Sequence, residues 1–188
     1  MVIQEWEQSG RPAEVVVAGY GKKVQWQYFI HPRTGKETDF LFYGRRNGAV
    51  ILPVTKDDMV VVVRQFRPGA GMILLELPAG TAEFEDEEPT EVARRELLEE
   101  TGYRADEVIL VGGQWLDATS SPTYDSFFLA LGCEKVQSPT PDPMEDIETV
   151  LVPLQEWISM VERQEITESG SKGATYDSLR HLRERGLL

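Results

Sequence analysis

Residues 80–103 read GTAEFEDEEPTEVARRELLEETGY and place three glutamates on one helix face directly behind a glycine-containing turn. Glu96, Glu99 and Glu100 are related by steps of three and four. At roughly 100° per residue they span an arc of about 100°. Leu97, Leu98 and Thr101 fall on the other side, where they suit packing against a sheet. The ends are marked as well. Pro89 suits the first helical turn, where its missing N–H would have no intrahelical partner, and Glu87, Glu88 and Glu91 favour the positive end of the helix dipole. Gly102 follows Thr101 where a left-handed cap would stop the helix. The spacing therefore predicts a helix over 89–101 with one apolar and one anionic face.

Between Glu83 and Glu100 stand nine acids and two bases, Arg94 and Arg95. Carboxylates this crowded repel each other unless something positive sits among them. Two readings meet the pattern. One is a solvated acidic helix, the usual meaning of a Glu-rich amphipathic sequence. The other is a site for a hard divalent cation, which takes oxygen ligands and commonly serves phosphate chemistry.

The order of residue types favours the second reading. Arg95-Glu96-Leu97-Leu98-Glu99-Glu100-Thr101-Gly102-Tyr103 matches, position by position, the second half of the Nudix hydrolase signature, R-E-U-x-E-E-x-G-U with U apolar. The first half of that signature is G-x5-E-x7. Glu87 lies eight residues before Arg95, as it should, but Gly80 lies seven before Glu87 rather than six. The chain thus resembles the family with one extra residue in the loop Thr81–Asp86, ahead of the helix. Val63-Arg64-Gln65-Phe66-Arg67, followed by Leu75-Glu76-Leu77-Pro78-Ala79-Gly80 and preceded by a long run of strands, resembles the ADP-ribose pyrophosphatase branch. Where that branch commonly has a Ser-Pro-Gly element, this chain has Ser121-Pro122-Thr123, a little further downstream.

The resemblance implies an α+β fold: a Nudix-type sandwich with a mixed β-sheet flanked by helices and a small N-terminal antiparallel sheet. It implies Mg2+, with Mn2+ able to substitute, held by Glu96, Glu99, Glu100 and the carbonyl of Ala79. Arg67 matches a residue that grips the diphosphate, as a planar guanidinium suits, and Glu76 one that lines the substrate pocket. For Arg67, simple neutralisation of a nearby acid is the competing role. Glu87 with Arg95 reads as a salt bridge that orients the helix. The base that activates water corresponds to a carboxylate on a loop after the later strands, here Ser138–Glu145. Glu145 is the best match, with Asp142, Asp146 and Glu148 as rivals and Glu99 or Glu100 as the fallback. The implied reaction is hydrolysis of a nucleoside diphosphate sugar, ADP-ribose giving AMP and ribose 5-phosphate, by a homodimer. Two rivals stand beside it: a pyrophosphohydrolase for GDP-mannose, nucleoside triphosphates or dinucleoside polyphosphates, and a non-catalytic nucleotide-binding module.

Outside the signature, Glu14–Tyr20, Val24–His31 and Asp39–Tyr43 read as strands rich in β-branched and aromatic residues. Ala49–Val54 and Met59–Phe66 read as a hairpin around Thr55-Lys56-Asp57-Asp58, and Ile73–Leu77 as a short strand. Val108–Trp115, Ser126–Leu131 and Glu148–Val152 follow as strands, with helices over Pro153–Gln164 and Lys172–Arg185. Trp26, Tyr28 and Phe29 alternate faces, so Tyr28 is a candidate for stacking on a nucleobase and equally a candidate for the core. The organisation expected is a segment of N-terminal strands over 1–46 and a hydrolase domain over 47–188.

Composition bounds the partners. The chain has 188 residues, 41% of them hydrophobic, and a formal net charge of −13. That charge argues against binding a nucleic-acid backbone or an anionic membrane. A phosphate-bearing small molecule would need local arginines and a cation. One cysteine, Cys133, and two histidines, His31 and His181, exclude an internal disulfide and a Cys/His zinc cage. MVIQEWEQSG is acidic rather than basic-then-apolar, and the longest apolar run, Met59–Val63, is far too short to span a bilayer. A cytoplasmic setting is the expectation.

Overall fold

The computed structural model describes residues 2–19 and 21–188. Its elements run β1 (Glu7–Gln8), β2 (Glu14–Gly19), β3 (Lys22–Ile30), β4 (Glu37–Arg45), β5 (Gly48–Thr55), β6 (Met59–Arg67), β7 (Met72–Glu76) and β8 (Ala79–Thr81). Then come α1 (Pro89–Thr101), β9 (Tyr103–Arg104), β10 (Glu107–Trp115), β11 (Tyr124–Lys135), β12 (Ile147–Pro153), α2 (Leu154–Glu162) and α3 (Ser169–Glu184). Tyr20, the expected end of the second strand, lies outside the described residues.

The chain divides into two compact units, Met1–Arg46 with Trp115–Thr123, and Asn47–Gln114 with Tyr124–Leu188. In the first, β3 is the centre of an antiparallel sheet, paired with β4 along one side and with β1 and β2 along the other. Nothing in the composition of Trp115–Thr123 marks it as belonging here. It joins through specific bonds: Tyr43 N–H to Ser120 O at 3.0 Å, Tyr43 Oη to Asp117 Oδ2 at 3.1 Å, and Thr123 Oγ1 to Arg45 O at 2.8 Å.

The second unit is built on a mixed sheet of order β10-β11-β5-β6-β12, with β7 on β6, β8 on β5 and β9 on β11. β5 and β11 are parallel, and β6–β12 and β6–β7 antiparallel. Both faces of the central strands are covered, which is why they read as unbroken apolar runs rather than alternating ones. Val50, Leu52, Val60, Val62, Phe127 and Leu129 point into one cluster with Leu154, Trp157 and Leu182 from α2 and α3. Their neighbours Ala49, Ile51, Val61, Phe128 and Ala130 point the other way, onto Val92, Ala93 and Leu97 of α1. The fold is the expected α+β sandwich. The short strands β1, β8 and β9 were beyond reach from sequence, because two or three residues carry no detectable period.

Candidate active site

The boundaries of α1 are those the sequence implies. Pro89 begins it, and Gly102, at φ 76°, caps it with its N–H on Leu98 O at 2.8 Å. Its buried face is Val92, Ala93, Leu97, Glu100 and Thr101, so Glu100 belongs to the sheet-facing side as well as to the acidic stripe. It follows Leu97 at the i+3 step and Ala93 at the i+7 step, both of which stack on one face, and so marks the seam between the two stripes.

Arg95 organises the acids around it. Its Nε lies 3.1 Å from Glu87 Oε1, its Nη1 2.8 Å from Glu96 Oε1 and 3.2 Å from Glu99 Oε2, and its Nη2 donates to Thr81 O at 3.1 Å. Burial works against the charge on Arg95, yet Glu87, Glu96 and Glu99 hold it firmly protonated. Glu83 N–H donates to Glu87 Oε2 at 2.7 Å, which ties the longer Thr81–Asp86 loop to the helix.

Glu100 is 3% exposed and takes the Ala79 N–H at 3.1 Å. Burial, then the negative fields of Glu96 and Glu145, push its carboxyl up to about 8, against the pull of the Ala79 bond and Arg67. Glu96 is also raised, chiefly by burial, with Glu99 and Glu145 adding to it and Arg95 opposing. A Cβ on residue 80 would collide with the Glu96 carboxylate, so only glycine leaves room for that side chain over β8. This role of Gly80 is invisible in sequence, where it reads as a turn.

Glu145 occupies a turn closed by Glu145 N–H to Asp142 O at 2.8 Å and Asp142 N–H to Glu145 Oε2 at 3.2 Å. Its charge reaches both Glu96 and Glu100. Of its rivals, Asp142 is occupied in the same turn, accepting from Met144 N–H at 2.9 Å. Glu148 pairs with Arg64 at 2.9 Å and is adjacent to Thr149, whose hydroxyl donates to Glu100 O at 3.3 Å. Alternation along β12 turns Glu148 to the sheet face away from α1.

Arg67 and Glu76 meet across the β6–β7 hairpin. Arg67 Nε lies 3.1 and 2.8 Å from the two oxygens of Glu76 and Nη2 lies 2.6 Å from Oε2, with Glu76 1% exposed. Burial acts against the Arg67 charge, but the Glu76 bonds and the fields of Glu76, Glu100 and Glu168 raise its pKa. Arg67 thus neutralises the buried Glu76, and its Nη1 stays outside that pairing. Tyr28 belongs to the first unit. It is 8% exposed, its hydroxyl donates to Glu14 Oε2 at 3.3 Å, and Arg11 lies 3.7 Å over its ring. With Trp26, Glu37 and Asp39 these residues line a cavity of ≈ 360 Å³.

Among the described residues no three His, Cys, Asp or Glu side chains converge as a ready cation cage. Arg95 draws Glu96 and Glu99, while Glu100 is turned to Ala79. The donor chemistry nevertheless fits a hard divalent cation: oxygens only, a glycine cradle, and two carboxylates whose ionisation is opposed by burial and by each other. Cys133, 3% exposed with its thiol pushed up to about 12 by burial, is an inert core residue.

Residues 44–170 match the family model described as the NUDIX domain. The chain is 32% identical over 124 residues to the ADP-ribose pyrophosphatase of Bacillus subtilis (strain 168), a match spanning 65% of this chain and 66% of that protein, just short of two thirds. It is 29% identical over 155 residues to the GDP-mannose pyrophosphatase of Citrobacter koseri, spanning 78% of each. The crystal structure of an ADP compounds hydrolase shares the fold, with a TM-score of 0.83 at 19% identity and 100% of both chains covered. The domain match and the order of acids on α1 agree: this chain belongs to the Nudix hydrolase family.

Proposed function

We propose that the chain hydrolyses the diphosphate bond of a nucleoside diphosphate sugar, with ADP-ribose yielding AMP and ribose 5-phosphate. The observation that carries this reading is the acidic seam of α1, where Glu100 is buried beside Glu96 in the field of Glu145. Without a cation that arrangement opposes its own ionisation. Glu96, Glu99, Glu100 and the Ala79 carbonyl would hold Mg2+ or Mn2+. When bound, such an ion neutralises phosphate oxygens and lowers the pKa of water.

The chain's own groups supply the rest. Glu76 fixes the Arg67 guanidinium bidentately, leaving Nη1 to donate to a diphosphate oxygen. Glu145 takes the proton of the attacking water. The water oxygen bonds to one phosphorus in line, and the bond from that phosphorus to the bridging oxygen breaks. The bridging oxygen leaves with the second phosphate. Tyr28, 8% exposed with Arg11 3.7 Å over its ring, keeps the core role the sequence allowed within the first unit.

GDP-mannose is the second substrate reading, favoured by the likeness to the Citrobacter koseri enzyme. Formation of the phosphate-monoester products from ADP-ribose, GDP-mannose, UDP-glucose and nucleoside triphosphates, with and without magnesium, decides between them. Magnesium-dependent turnover of ADP-ribose is expected, lost by about 100-fold or more in Glu100→Gln. Preferred cleavage of a triphosphate would overturn the reading. A homodimer fits the first unit, where Val15, Val16 and Val17 of β2 are each more than half exposed on a sheet edge. No helix of the described residues is long and apolar enough to cross a membrane, and a cytoplasmic setting suits the substrate class.

A further inference from the structure

Pro78 has no N–H, so the donors flanking it decide how the Leu77–Ala79 strap is held. Ala79 N–H goes to Glu100 Oε2 at 3.1 Å, and Leu77 N–H goes to Ser171 Oγ at 2.9 Å. Between them, Pro78 O accepts from Ile51 N–H at 3.0 Å. The strap is thus tied to α1 on one side and to the first turn of α3 on the other.

The α3 end is built without slack. Ser171 is fully buried at 0% exposure, and Leu77 is 1% exposed. The single Ser171 hydroxyl proton goes to Glu168 Oε2 at 2.8 Å, which leaves the oxygen's lone pairs for Leu77. Glu168 is itself fixed as the helix N-cap, accepting from Gly170 N–H at 2.7 Å and Ser171 N–H at 2.6 Å. Deeper in the same helix, Thr175 Oγ1 donates to Ser171 O at 2.7 Å and receives Trp157 Nε1–H at 2.9 Å, which locks α3 to α2.

We propose that Ser171, oriented by Glu168, is a positioning residue for the cation and substrate site. The first turn of α3 sets the depth of the Leu77–Gly80 strap, and the strap sets the Ala79 N–H that aims Glu100 and the Ala79 carbonyl beside it. The proposal rests on the hydrolase reading of that site. Supporting groups of this kind typically change metal affinity by about 10–100-fold when removed.

The test compares the full-length wild type with Ser171→Ala, Glu168→Gln and Ser178→Ala. Ser178 is the control: it is equally buried, and its hydroxyl donates to Ala174 O at 2.7 Å within α3, with no link to the strap. Mn2+ binding is measured by calorimetry, and exchange of the Leu77 and Ala79 amides by NMR. Ser171→Ala should weaken Mn2+ binding by about 10-fold or more and speed exchange at Leu77, with kcat falling more than KM rises. Ser178→Ala should do neither. Glu168→Gln, which keeps the serine and one carbonyl oxygen, should fall between and serves if Ser171→Ala does not fold. Wild-type Mn2+ affinity in Ser171→Ala, or equal losses in Ser171→Ala and Ser178→Ala, would overturn the anchor alone. A wild type that binds no Mn2+ sinks the reading of the site and the anchor with it.

Discussion

Gly80 shows how a single hydrogen can matter more to chemistry than to stability. A methyl group there meets the Glu96 carboxylate, the far end of a flexible side chain that can swing aside at little cost. Gly80→Ala should therefore keep its melting temperature within a few degrees while losing turnover by about 100-fold, the scale of a misplacement of roughly 1 Å. Parallel loss of stability and activity would contradict this. Glu100 makes a prediction in pH. Its folded pKa of about 8 stands above the ordinary value of 4.5, so its contribution is present at low pH and is lost as pH rises through 8. In EDTA the chain should lose stability between about pH 5 and pH 8.5, by up to about 5 kcal/mol from this group. Mn2+ should restore it at the alkaline end, and Glu100→Gln should flatten the slope. The three glutamates were legible because helical spacing is a local property. The Arg67–Glu76 pairing was not: the register sets Arg67 opposite Met72 and Glu76 opposite Val63, and the two long side chains meet only by reaching toward each other along the hairpin.

At the scale of elements, α1 was read to the residue because proline and glycine punctuate both of its ends. α2 and α3 were read with the right type and blurred ends: α3 begins at Ser169 rather than Lys172, since its N-cap is a glutamate, a residue type that sequence rules do not rank there. That same blur hid Ser171. The function of α1 as a rigid element depends on Arg95, which joins the helix to the Thr81 carbonyl and to Glu87, whose side chain is 8% exposed. Removing the guanidinium takes the counter-charge from a nearly buried carboxylate that keeps the Glu83 N–H, a change that costs about 3–5 kcal/mol where the charge is left wholly uncompensated. Arg95→Ala should lower stability by about 2–4 kcal/mol in urea titrations, less than the full amount because Arg95 is itself 21% exposed. Arg95→Lys should recover part of it through charge without the forked geometry. An unchanged midpoint for Arg95→Ala would show that the helix is held by its apolar face alone.

At the scale of the molecule, a net charge of −13 tells which partners are repelled but not where the few cations collect, and that distribution bears on assembly. Lys22, Lys23 and Arg45 line one groove of the first unit, of ≈ 580 Å³, together with Val17, Val24, Tyr43 and Leu116. Beside it runs β2, paired among the described residues only with β3, where Val15, Val16 and Val17 are 56%, 59% and 59% exposed. Every residue of β2 is exposed, so neither face of the strand is covered, although a bulge between Val15 and Val17 breaks the regular alternation. Uncovered apolar edge strands are rare in isolated chains, which usually blunt them with lysine or proline. Three valines fall short of the roughly 800 Å² that each partner of a stable pair buries, but Tyr43 and Leu116, both over 40% exposed, extend the patch. The wild type should sediment as a dimer, and the double variant Val15→Lys, Val17→Lys as a monomer with unchanged far-ultraviolet circular dichroism. The lysines act only on the uncovered strand, so a folded monomer is the outcome that ties the edge to assembly. A wild type that sediments as a monomer at assay concentration would leave the exposed valines without a partner and end the homodimer reading.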